Sequence, residues 1–128
     1  MSSPMGMQRP VQNTRVEKVR RLRAVGQISS KQAGALTLYT VPLKYMVRGT
    51  IFVAELYNAA VTYRIAIRED GDALANKHYV VYDAALLGYG SDYSVELLLD
   101  ETDVIEVYAS AGGVTFTFLG ELEPKDTA

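Results

Sequence analysis

One histidine, His78, and no cysteine bound the chemistry open to this 128-residue chain. Without cysteine there is no disulfide, thiol nucleophile or thiolate metal site, and a single histidine removes any two-histidine metal site. His78 lies in Lys77-His78-Tyr79-Val80-Val81-Tyr82-Asp83, with no serine or cysteine motif to make it a base; a surface or interface position is expected. No G-x-S-x-G, H-E-x-x-H or P-loop spacing occurs. Gly88-Tyr89-Gly90 is a lone glycine pair in a loop, not a phosphate cradle between strand and helix. Glu69, Asp70 and Asp72, then Asp100, Glu101 and Asp103, offer oxygens of the kind that hold calcium, but neither set has the spacing of an EF-hand loop. Solvated turns are the simpler reading. No motif supports a carboxylate pair for sugar hydrolysis. The expectation is a non-enzymatic protein with no catalytic, cofactor-binding or metal-binding residues.

The elements that would position any site read as strands. Val114, Phe116 and Phe118 alternate with Thr115 and Thr117, and Val61, Tyr63, Ile65 and Ile67 alternate with Thr62, Arg64 and Arg68. Period two with β-branched and aromatic residues marks half-buried strands. Tyr93, Val95, Leu97 and Leu99 read as one inward-facing set, and Ile105, Val107 and Ala109 as another. Further strands are expected near residues 22–28, 36–41, 45–56 and 78–83. Acidic or glycine-rich turns separate them at 69–72, 88–92 and 100–103. Ser110-Ala111-Gly112-Gly113 reads as a tight hairpin between two strong strands. About eight strands in one domain predict an all-β, antiparallel, jelly-roll-like β-sandwich. Its expected limits are residues 25–123, after an N-terminal arm over 1–24 and before a C-terminal tail over 124–128. No apolar run approaches the roughly 20 residues of a membrane helix, and the first residues lack the pattern of a secretory signal.

Charge divides the chain. Residues 1–31 carry seven basic and one acidic side chain, a net +6; residues 32–128 carry six basic and fourteen acidic, a net −8. A basic arm on an acidic body suits docking on an acidic partner. Val16, Val19 and Leu22 fall on one face of a short helix, capped by Asn13 or by Thr14 with Glu17. Such a helix is marginal alone, and an extended arm is the other reading. Arg15, Lys18, Arg20, Arg21 and Arg23 supply the charge. Residues 1–31 have no aromatic to stack a base, and the acidic body repels phosphate, which argues against nucleic acid.

Several apolar residues break the alternation. Leu98 and Leu119 sit on otherwise polar faces, and Phe52, Ala54 and Leu56 oppose Ile51 and Val53. A strand apolar on both faces is covered on both. Phe52, Leu56, Leu98 and Leu119 are therefore the expected contacts of a homo-oligomer. Nine tyrosines and no tryptophan fit the same reading, because tyrosine is enriched at interfaces.

The stretches 36–42, 62–68, 72–83, 102–109 and 114–120 together resemble a group of small structural proteins of tailed-phage particles. The resemblance covers about residues 25–122 and rests on strand and turn patterns. It implies a β-sandwich module, commonly trimeric, without catalytic residues, located in the virion and assembled in the host cytoplasm. The apolar stretch Thr50-Ile51-Phe52-Val53-Ala54-Glu55-Leu56 departs from the group's more polar strand. Three roles remain open: a tail, baseplate or neck appendage held by its arm; a capsid decoration protein clamping shell subunits; and a carbohydrate-binding module using the tyrosines of loop 88–93.

Overall fold

A computed structural model describes residues 23–30, 34–69 and 71–125. Residues 15–22, with the arm's Arg15, Val16, Lys18, Val19, Arg20, Arg21 and Leu22 and its expected helix, lie outside the described residues. Arg23, assigned above to the arm, is the first residue of a strand.

The described chain forms β1 (Arg23–Ser30), β2 (Gly34–Thr40), β3 (Tyr45–Glu55), β4 (Val61–Arg68), β5 (Tyr79–Leu86), β6 (Ser91–Tyr93), β7 (Leu97–Leu99), β8 (Val104–Ala109) and β9 (Val114–Pro124). A single 3₁₀ turn, Asn76–His78, precedes β5. One sheet runs β1-β9-β3-β6, with β7 also paired to β3; the other runs β2-β8-β4-β5. All the pairings are antiparallel. Taking β6 and β7 as one interrupted strand, this is the eight-stranded jelly roll. The expected fold class is the observed one.

The alternation read from the sequence sets the core. Ile51 and Val53 of β3 and Phe116 and Phe118 of β9 face Ile65 of β4 and Ile105 and Val107 of β8, all essentially inaccessible. Burying side chains of this size contributes roughly 1.5–3 kcal/mol each. Polar neighbours fall on the outer faces. Arg68 reaches Glu106 at 2.8 Å there.

Two local expectations are corrected. Ser110–Gly113 is not a hairpin: β8 pairs with β2 and β4, whereas β9 pairs with β1 and β3, so the link crosses between sheets. Both strands turn an apolar face to the same core, and crossing lets them cover it from opposite sides. Gly113 makes the crossing at φ +87°, a conformation that favours glycine, and the Tyr57 ring occupies the space a Cβ would need. Of consecutive strands among the described residues, only β4 and β5 pair.

The run Tyr93–Leu99 is also not one strand. β3 pairs Phe52 with Tyr93 and Gly49 with Leu97, so two β3 residues oppose three residues, 94–96. Ser94 fills this bulge: its Oγ accepts the Ile51 N–H at 3.0 Å, and its own N–H donates to the Ile51 carbonyl at 2.9 Å. An extra residue reverses the facing of everything before it. Leu97 and Leu99 remain buried, but Tyr93 and Val95 point to solvent.

Candidate interaction surface

The bulge gathers apolar side chains on the outer face of the five-stranded sheet. Phe52 projects outward from the centre of β3, 41% exposed, and Tyr93 opposite it is 69% exposed. Their rings lie 5.9 Å apart, within the range of favourable aromatic pairs. Leu98, 68% exposed, stands opposite Arg48 on the same face. Half-buried Leu119 pairs with Thr50 on the other side of β3. Arg48 borders this group, with its guanidinium 3.1 Å from Glu121 and 3.9 Å from Glu96. Apolar side chains edged by paired charges have the composition of an interface core with a polar rim.

Three of the four expected contacts, Phe52, Leu98 and Leu119, thus share one face. Leu56 does not join them. β3 ends at Glu55, and Leu56 lies in the following turn, its N–H donating to the Gly113 carbonyl at 2.8 Å and its side chain in solvent. Tyr93 belongs to the face and was missed, because unbroken alternation sends it inward; the polar Ser94-Val95-Glu96 interruption was the available signal.

A second feature was not legible. Glu55 follows four inward positions on β3 and is only 2% exposed. Its carboxylate accepts N–H groups from Tyr57 at 2.9 Å, Ala59 at 3.1 Å and Tyr89 at 2.9 Å. Burial works to raise its pKa, but these donors and the N–H of Asn58 together outweigh it and hold the carboxyl below the ordinary value. One side chain therefore ties loop 56–60 to loop 87–90. Two of these donors, Asn58 and Tyr89, have left-handed backbone conformations, φ +55° and +60°. Leu56, Tyr57, Leu87 and Tyr89 project from this end of the sandwich into solvent.

His78 is buried rather than on the surface. Its Nδ1 accepts the Ala75 N–H at 2.9 Å, which leaves the ring proton on Nε2, 3.4 Å from Asp72 Oδ2. The ring closes the 3₁₀ turn and is fully engaged there. The second acidic turn is likewise internally bonded. Asp103 Oδ2 accepts the Asp100 N–H at 2.9 Å, and Asp100 meets Lys125 at 2.8 Å, which lowers the Asp100 pKa. Among the described residues, no helix is long and apolar enough to cross a membrane.

No protein-family model matches the chain, and no curated protein does. Solved structures do. A chain of the T13 viral particle of infectious bursal disease virus is similar at 14% identity and a TM-score of 0.49, over 81% of this chain and 29% of that one. The VP2 subviral particle of the same virus gives 18% identity and a TM-score of 0.48, over 81% and 31%. CBM35 from Paenibacillus barcinonensis gives 6% identity and a TM-score of 0.39, over 81% and 93%. The chain thus spans about three-tenths of the viral chains it is similar to. Jelly rolls host many functions, so a role must be argued from this chain's own surface.

Proposed function

We propose that the protein is a non-enzymatic structural module of a virus particle, closing on copies of itself through the outer face of the five-stranded sheet and held to its neighbours by the basic arm. The observation that carries this reading is the grouping of Phe52, Tyr93, Leu98 and Leu119 on one sheet face whose opposite face already packs the core. Large exposed apolar side chains grouped on one face mark an association surface. The sequence resemblance to tailed-phage structural proteins supports a trimer, and the net +6 of residues 1–31 supports docking on an acidic partner. Three arms on one trimer would multiply avidity. A tail, baseplate or neck appendage is the leading placement; capsid decoration uses the same arm and the same sandwich.

Light scattering tests the assembly step. The full chain is expected as three copies of 14.1 kDa, about 42 kDa. Phe52→Asp with Leu98→Asp puts charge on the exposed face without touching the core, and is expected to give a folded monomer. A wild-type monomer, or a double variant that keeps the wild-type mass, would refute the interface.

A further inference from the structure

The opposite outer face, on the four-stranded sheet, carries a second built feature. β5 is out of register with β4 at two places, so Tyr63 pairs with Ala84, Ile65 with Val81 and Ala66 with Tyr79. One bulge sets Tyr82 and Asp83 together opposite Arg64, with Asp83 in a left-handed conformation at φ +51°. Bulges re-aim side chains, and here Tyr82 and Asp83 both come to lie against Arg64. The guanidinium takes Asp83 in a two-pronged contact, Nε to Oδ1 at 2.6 Å and a terminal nitrogen to Oδ2 at 3.3 Å. It lies 4.2 Å from the Tyr82 ring centre and 4.4 Å from that of Tyr108. Tyr79 meets Tyr82 edge to face, with ring centres 5.0 Å apart.

Two cavities adjoin along Tyr79. One, of about 430 Å³, is lined by Asn76, Tyr79 and Tyr82. The other, of about 130 Å³, lies among Arg64, Leu74, Glu106 and Tyr108 beside the same tyrosine. The larger falls in the usual range of small-molecule sites, about 300–1,000 Å³. Tyr82 remains 58% exposed despite the guanidinium against its ring.

The charges decide what such a groove accepts. Arg64 is engaged by Asp83, which raises its pKa further and keeps it ionised. Glu106 is engaged by Arg68 at 2.8 Å and by the Thr37 hydroxyl at 3.0 Å. Among the described residues, each charge bordering the groove has an opposite partner, so they offer neither an anion nor a cation a free counter-charge. What the groove presents is tyrosine rings with their hydroxyls, the Asn76 amide and the outer lone pairs of carboxylates. We infer that this groove binds a neutral saccharide, with the apolar face of a sugar ring against Tyr82 and its hydroxyls toward Asn76 and Asp83. The site is independent of the oligomer reading and lies on the other sheet from Phe52 and Leu98.

The test is saturation-transfer NMR on the full chain with glucose, galactose, mannose, N-acetylglucosamine, maltose and cellobiose, followed by titration. At least one neutral sugar is expected to receive magnetisation. Tyr82→Ala is expected to weaken its binding by at least about tenfold, Tyr82→Phe to retain most of it, and Tyr89→Ala, in the far loop, to leave it unchanged. Proton spectra of each variant report folding. The inference fails if no neutral sugar responds, if folded Tyr82→Ala binds as well as wild type, if loss follows Tyr89 instead, or if glucuronic acid binds where no neutral sugar does.

Discussion

The phenol of Tyr63, on the four-stranded sheet, donates to Asp92 Oδ2 on β6 of the other sheet at 2.6 Å, so one hydrogen bond ties the two layers beside the core. Burial, then the bond to Asp92 and its charge, push the Tyr63 pKa well above the usual 10.0. A raised pKa means that the folded state holds the proton more tightly. The associated stability is complete below pH 10 and lost as pH rises above it. Tyr63→Phe is expected to cost about 1–2 kcal/mol near neutral pH and to flatten the alkaline limb of the stability curve. Urea unfolding at pH 7 and at pH 10.5 checks both; an unchanged alkaline limb would count against this bond as its source.

Glu55 sets the opposite limb. Its depressed pKa contributes stability that is present above the ordinary value of 4.5 and disappears as pH falls below it. Glu55→Gln turns one acceptor into a donor facing backbone N–H groups. The melting temperature at pH 7 is expected to fall by about 5–10 °C, with a smaller deficit at pH 3. Hydrogen exchange at Tyr57, Ala59 and Tyr89 should quicken by at least about tenfold, while exchange at Phe116 changes only with global stability.

Gly49 and Gly120 face each other across β3 and β9. A Cβ on Gly49 would lie 2.3 Å from the Leu119 carbonyl oxygen and 2.6 Å from the Gly120 Cα. These are backbone atoms of the sheet's central pairing and cannot turn aside. Gly49→Ala is expected to destabilise by about 1–3 kcal/mol, whereas Gly71→Ala, where no atom lies within 4 Å, bears only the cost of its left-handed backbone. Chemical denaturation of the two variants gives the comparison.

Reversing Arg20 and Arg21 to Glu changes the arm from net +6 to net +2 over residues 1–31. The variant is expected to keep the wild-type mass in solution and to be missing from assembled particles. Added salt should weaken docking of the wild type in the same direction. Co-sedimentation with particles at low and high ionic strength reads both effects; normal incorporation would remove the charge argument.

The strands around Ile65, Val107 and Phe116 were legible because one face of each meets the core and the other meets water, so period two is written into the residues. Phe52, Leu98 and Leu119 were legible as exceptions to that period. Tyr93, Tyr82 and Asp83 were not, because bulges depend on register between strands distant in sequence. Ser110–Gly113 misled for a related reason: turn residues mark a reversal but not which sheet receives the next strand. Glu55 continues the inward period of β3, but a carboxylate at that position reads as a strand end, because the turn over residues 57–59 and the Tyr89 N–H that satisfy it come together only in the fold. His78 was misplaced because its bond to the Ala75 N–H needs the 3₁₀ turn to exist first.

The placement of β1 has a mechanical consequence. β1 lies at the sheet's edge, antiparallel to β9, with seven residue pairs from Arg23–Gly120 to Ser30–Val114. Tension drawn along the strand from ahead of Arg23 loads those hydrogen bonds in shear, sharing the force among them instead of opening them one at a time. β9 is itself clamped along its full length to β3, so the load passes directly into the centre of the sheet. A pull on the N-terminal side of β1 is thereby resisted first by the seven β1–β9 pairs and then by the longer β9–β3 pairing behind them.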